Sequence, residues 1–157
     1  MSVDGWQPKT KIGVQLTTTD GQNLLGFVFC GNNESVRDVL NDKRPYLLFQ
    51  SAPRSTEMVN KHSIMRAQIV DHHSREIDLV ADTGSRGAVS LTYANGAEVA
   101  GEIVTHGDQR VSDIINQDDI FFLFLPDEGS VNYVSTAFLS RVLIRDTADD
   151  TAGTEPA

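Results

Sequence analysis

The residues of this chain whose side chains could do chemistry are few and scattered. His72 and His73 are adjacent, so on a strand they would point to opposite faces and could not readily share a metal ion. His62 and His106 do not correspond when the repeat described below is aligned. Cys30 has no histidine near it in the sequence, and we interpret it as a small packing residue. The residue types therefore predict no metal site, no cofactor site and no catalytic residues.

One segment matches a catalytic signature. The sequence Asp82-Thr83-Gly84-Ser85 follows an apolar run and resembles the nucleophilic turn of aspartic proteases. That chemistry needs two carboxylates that share one proton, whereas the residue 75 positions before Asp82 is Gln7. An Asp-Thr-Gly segment is also an ordinary turn after a strand. We therefore expect no enzyme, and a dimeric aspartic-protease-like hydrolase that pairs two Asp82 side chains is a remote alternative.

The strongest pattern is an internal repeat. Shifting the chain by 75 positions places residues 14–71 over residues 89–146 without a gap, with 15 identities in 58 positions and apolar positions kept throughout. We therefore predict two copies of one small domain. The first occupies residues 1–71, with its core at 14–71, and the second occupies residues 89–146. Residues 72–88 are predicted to be a linker, with a strand near Ile77, and residues 147–157 a disordered tail.

Each copy is predicted to contain five strands and one short helix. The pairs Asp20-Gly21 and Asn95-Gly96 follow alternating apolar residues and predict hairpins. A helix with a capping box at Ser35 follows, and Asn41 stands where it should stop in a left-handed cap. Gly26, retained as a glycine in the middle of the second strand of both copies, predicts close backbone approach or a sharp bend.

The predicted order of elements, strand-strand-helix-strand-strand-turn-strand, resembles that of SH3-like and Sm-like barrels with a helix inserted after the second strand. The opening V-x-L…G…x-G and the late V-x-x-x-x-I segment are similar to the two halves of an Sm motif. Residues 110–116 also resemble a short uncharacterised bacterial domain with an R-x-S-D-x-L-N signature, which implies no known activity. The predicted fold is therefore mainly β, with two tandem small five-stranded barrels related by a pseudo-twofold axis.

The composition bears on compartment and partners. The net charge of −9 is uneven, since residues 1–71 hold eight Lys and Arg against seven Asp and Glu, and the rest holds five against fifteen. A single cysteine and the lack of an apolar membrane-spanning run suggest a cytoplasmic protein with no membrane partner. The acidic half would repel nucleic acid. The alternative of Sm-like RNA binding would have to use the basic side chains of Lys43, Arg44, Arg54 and Lys61.

Three of the polar positions that are kept in both copies are candidate site residues. They are Asp38, Asn41 and Arg66 in the first copy, and Asp113, Asn116 and Arg141 in the second. A functional interpretation makes them a paired site. A structural interpretation makes the aspartates and asparagines helix caps and partners in buried hydrogen bonds. Pairing of the arginines with the aspartates is left open by the spacing.

The outward face of the second strand differs between the copies. It presents Leu25, Phe27 and Phe29 in the first copy, and smaller or charged residues in the second, where Glu102 replaces Phe27. An apolar outer face must be covered by the other copy, a second chain or a partner protein. We therefore predict that Phe27 is mostly buried, and that the protein is a non-enzymatic interaction or scaffold module that binds a protein partner or itself.

Overall fold

A computed structural model describes residues 10–51, 55–71 and 84–145 of the chain. Within these ranges no helix is long and apolar enough to cross a membrane. Asp82, the strand expected near Ile77 and the predicted tail lie outside the described residues.

The elements of the first repeat follow the predicted order. They are strands β1 (Thr10–Thr18) and β2 (Asn23–Cys30), helix α1 (Val36–Asn41), strands β3 (Tyr46–Gln50) and β4 (Thr56–Asn60), a 3-10 helix (Lys61–Ser63), and strand β5 (Ile64–Ile69).

The elements of the second repeat are the same in kind, and each of its strands begins 75 residues after its counterpart. They are strands β6 (Ser85–Tyr93) and β7 (Glu98–Thr105), helix α2 (Val111–Ile115), strands β8 (Phe121–Pro126) and β9 (Val131–Ser135), a 3-10 helix (Thr136–Phe138), and strand β10 (Leu139–Ile144).

Local sequence signals account for the hairpins and helix starts. Gly21 and Gly96 have φ angles of 87° and 92°, a region that glycine occupies at little cost, and each lies in the turn of its predicted hairpin. The predicted capping box is present, because the Asp38 amide donates to Ser35 Oγ and the Ser35 amide donates to Asp38 Oδ2. These contacts fix where β2 begins and where α1 starts.

The mid-strand glycines mark close backbone approach, as predicted. A Cβ atom added to Gly26 would lie 2.2 Å from the Gln50 carbonyl oxygen, and one added to Gly101 would lie 2.4 Å from that of Leu125. Strands β2 and β3, and likewise β7 and β8, therefore cross at a distance that only glycine permits.

The ten strands form one open antiparallel sheet, in the order β10-β6-β7-β8-β9-β5-β1-β2-β3-β4. The two repeats join where β5 pairs with β9, with Ala67 opposite Tyr133 and Ile69 opposite Val131. The sheet is not closed, so the predicted pair of five-stranded barrels is not confirmed. The predicted twofold relation is not formed at this junction either. A twofold axis would pair a strand with its own counterpart, whereas the junction pairs β5 with β9, and their counterparts β10 and β4 are the two ends of the sheet.

Two clusters of buried side chains form the core, and one of them crosses the junction. The first cluster combines the inner face of the first repeat with Phe121, Leu125, Val131 and Tyr133 of the second repeat. The second cluster lies in the second repeat and packs against Met65 of the first. The repeats therefore share a core as well as a sheet.

Candidate interaction surface

The predicted outer face of β2 is exposed to solvent. Leu25 is exposed, Phe27 keeps 43% of its surface accessible, and Phe29 is half-buried. The Lys11 ammonium lies 5.8 Å and 5.9 Å from the ring centres of Phe27 and Phe29, within the range of cation–π attraction. Phe27 is thus not mostly buried within the chain, and of the three covers considered the second repeat does not supply one, because that repeat joins at β5 and β1 lies between β5 and β2.

The exposed apolar surface continues from β2 across β3 and β4. Leu48 pairs with Met58 across these strands, and both side chains are exposed, as is Tyr46. Phe29, Tyr46, Leu48 and Met58 take part in lining a groove of about 220 Å³. We define the apolar outer face of the first repeat as the side chains of Leu25, Phe27, Phe29, Tyr46, Leu48 and Met58.

Two of the equivalent positions in the second repeat are buried. Tyr46 is 46% exposed, whereas its counterpart Phe121 is fully buried. Met58 is 66% exposed, whereas its counterpart Tyr133 is 4% exposed. Phe121 and Tyr133 are buried because they belong to the core cluster shared with the first repeat. The second repeat packs against the first through the surface that contains Phe121 and Tyr133. The equivalent surface of the first repeat is exposed to solvent.

Asn41 forms hydrogen bonds between the two repeats at this junction. Its Nδ2 donates to the Phe121 carbonyl oxygen at 3.0 Å, and the Phe121 amide donates to Asn41 Oδ1 at 2.9 Å. The asparagine therefore ends α1 by binding the backbone of β8. The left-handed cap predicted from the sequence is wrong, because Asn33 is the only non-glycine residue with a positive φ angle among the described residues. Asn116 is exposed, and its Nδ2 donates to the Ser112 carbonyl of its own helix.

The other retained polar residues are not brought together in one site. Asp38 caps α1, and Asp113 accepts a hydrogen bond from the Arg110 amide at 2.8 Å at the start of α2. Arg66 Nε donates to Thr17 Oγ1 at 3.3 Å, and Arg141 lies exposed on β10. The observed contacts thus tie the aspartates to their helices and Arg66 to β1.

Two of the four basic residues considered for RNA contact are engaged by one carboxylate. Asp42 accepts hydrogen bonds from Arg44 and from the buried Lys61, whose Nζ lies 2.7 Å from Asp42 Oδ1. Burial alone would raise the pKa of Asp42, but these hydrogen bonds outweigh it and hold the pKa well below its usual range. Arg54 lies outside the described residues.

A second groove, of about 290 Å³, lies between the repeats. The described residues of its lining include Thr18, Arg66, Tyr93 and Glu98, and none of the described lining residues is a histidine or cysteine. Burial raises the pKa of Tyr93 above its usual value, so its hydroxyl stays protonated at neutral pH. Cys30 is buried in the core, and no three His, Cys, Asp or Glu side chains of the described ranges are grouped to hold a metal ion. The described lining of the groove therefore offers hydrogen-bonding groups.

Comparison of the chain with models of protein families, with curated proteins and with solved structures found no match.

Proposed function

We propose that this protein is a non-catalytic interaction module that binds a protein through the apolar outer face of the first repeat. The observation that carries the proposal is the contrast between Met58 and Tyr133, equivalent positions that are 66% and 4% exposed. An exposed aromatic and aliphatic surface of this kind is typical of a contact with another protein.

We propose in addition that each repeat is a small barrel of the SH3-like or Sm-like type, opened at one side. Two features support this. The strand order within each repeat is last-first-second-third-fourth, and the second strand passes close to the third at a glycine in both repeats. Such bending is typical of small barrels at their corners.

Affinity capture with matched variants tests the proposed function. The wild-type protein is immobilised beside Phe27→Glu, which places on β2 the residue type found at Glu102 of the second repeat. We expect at least one protein other than the chain itself to bind the wild type and to be lost with Phe27→Glu. The control is Glu98→Gln, an exposed change on the second repeat that we expect to leave binding intact.

Thermal melting of the three proteins shows whether each variant is folded. Because Phe27 is exposed in the chain, we expect Phe27→Glu to change the free energy of unfolding by less than about 1 kcal/mol. If all three proteins retain the same partners, or none at all, the apolar outer face is not a protein-binding surface and the proposal is wrong.

A further inference from the structure

We infer that copies of this chain join head to tail, with β4 of one copy pairing with β10 of the next in the geometry of the β5–β9 junction. This inference rests on the proposed function and names its partner as a second copy of the chain. It would complete the sheet at both of its open ends.

The two ends of the sheet are the counterparts of the two strands that already pair within the chain. Strand β10 corresponds to β5, and strand β4 corresponds to β9. Transferring the register of the internal junction places Val142 opposite Met58, and Ile144 opposite Thr56. Equivalent backbones that fit once within the chain can fit again between two chains.

At both ends of the sheet, the residues that this register would pair have backbone groups directed outward, away from the neighbouring strand. The Lys61 amide donates to the Pro45 carbonyl, and alternation along the strand leaves the amides of Thr56 and Met58 directed away from β3. The Arg145 amide donates to the Ala88 carbonyl, so the amides of Val142 and Ile144 are directed away from β6. The residues that would face each other are therefore those with outward backbone groups.

Both ends also carry apolar side chains that the internal junction buries. Ile144 is 50% exposed, whereas its counterpart Ile69 is 3% exposed at the internal junction. Seven large hydrophobic side chains are exposed among the described residues, and five of them lie on β3 and β4 at one end of the sheet or on β10 at the other. They are Tyr46, Leu48, Met58, Leu143 and Ile144. Natural edge strands are usually protected from pairing by charge, proline or bulges. These two strands carry Glu57, Arg141 and an irregular register in β10, but they also present exposed apolar groups.

A second asparagine and a charge pair complete the match. Asn116 corresponds to Asn41, and the residue that corresponds to Phe121 is Tyr46. In the joined pair Asn116 would therefore bind the Tyr46 backbone of the next copy. Glu57 and Arg141 would lie diagonally across the new strand pair on one face, within reach of an ion pair.

Blocking one end at a time tests the inference. Met58→Pro removes an outward amide of β4 and leaves the bonds to β3 in place, and Ile144→Pro does the same for β10. Native mass spectrometry and sedimentation are expected to show the wild type as a closed ring of fixed size or as a chain that grows with concentration. Each variant alone should be a monomer. An equimolar mixture should form a 1:1 dimer, because one intact end of each kind remains.

Three further variants separate a lost contact from a lost fold. Met58→Lys blocks β4 by charge without proline and should also give a monomer. Gln22→Lys changes an exposed residue in the β1–β2 turn, outside the apolar outer face and away from both ends, and should keep the wild-type mass. Asn116→Ala should raise the dissociation constant roughly tenfold. Circular dichroism checks the fold of each variant.

A wild type that stays monomeric at its highest attainable concentration would overturn the inference. Dimers of either proline variant alone would overturn it too, since they would show like ends pairing with each other. If purified chains do not join but a different protein is captured and then lost with Phe27→Glu, the inference fails while the proposed function stands. If neither self-association nor such capture is found, both are wrong.

Discussion

Asn41 and Asn116 show how one residue type has two different environments at equivalent positions of the two repeats. The amide of Asn41 satisfies both the N–H and the C=O of Phe121, a fully buried residue at the start of β8. The amide of Asn116 is exposed and turns back to Ser112. A buried backbone group without a partner is costly, so the two asparagines should contribute very differently to stability.

Replacing each asparagine with alanine tests this difference. Asn41→Ala should lower the free energy of unfolding by about 1–3 kcal/mol, because it leaves two backbone groups of Phe121 without partners. Asn116→Ala, the matched control, should change it by less than about 0.5 kcal/mol in dilute protein. Urea denaturation measures both values, and equal effects of the two changes would show that the Asn41 contact adds no stability to the junction.

At the scale of elements, a buried lysine fixes the end of α1 to the 3-10 helix that precedes β5. Lys61 lies in that 3-10 helix, and its ammonium binds Asp42, the residue that directly follows α1. Because the folded protein holds the pKa of Asp42 below its ordinary value of 3.8, the ionised carboxylate stabilises the fold. That contribution is complete at pH values above 3.8 and is lost as the pH falls below it toward the lowered pKa.

Asp42→Asn should therefore destabilise the protein at neutral pH and weaken its acid sensitivity. We expect a loss of about 1–3 kcal/mol at pH 7, since Lys61 keeps its charge without its carboxylate. The variant should then lose less stability than the wild type between about pH 4 and pH 2. Urea midpoints across this range measure the effect, with Asp127→Asn, an exposed carboxylate, as the control. Parallel pH profiles for wild type and Asp42→Asn would contradict the expected role of Asp42.

At the scale of the whole molecule, the repeats are joined by a common core. Tyr133 of β9 packs into the core cluster of the first repeat, and the sheet runs continuously through the β5–β9 pair. Loosening one repeat removes contacts that stabilise the other. The described chain should therefore unfold in one cooperative transition.

Tyr133→Ala and Met58→Ala test this coupling at equivalent positions of the two repeats. Tyr133→Ala should lower the free energy of unfolding by about 3–5 kcal/mol and still give a single transition, because it leaves a cavity in the shared core. Met58→Ala should change it by less than about 0.5 kcal/mol in dilute protein, since Met58 is exposed there. Calorimetry that resolved two separate transitions would show that the repeats are independent.

Much of the local structure follows from the sequence alone. The hairpins at Gly21 and Gly96, the capping box at Ser35 and the tight crossing at Gly26 each depend on residues that are close in the chain or on the missing side chain of one glycine. The alternation of β2 likewise placed Phe27 on the outer face, where it lies. Such features depend on local backbone geometry, which the residue types and their spacing largely fix.

The tertiary structure decided which strand edges meet and therefore which apolar residues are left uncovered. Every strand edge offers the same N–H and C=O groups, so the sequence does not mark β9 as the partner of β5. The same limit hid the role of Asn41, whose partner Phe121 is 80 positions away. Met58 and Tyr133 occupy equivalent strands, and Tyr133 is buried because its strand lies at the junction, whereas Met58 is exposed because its strand lies at an end of the sheet.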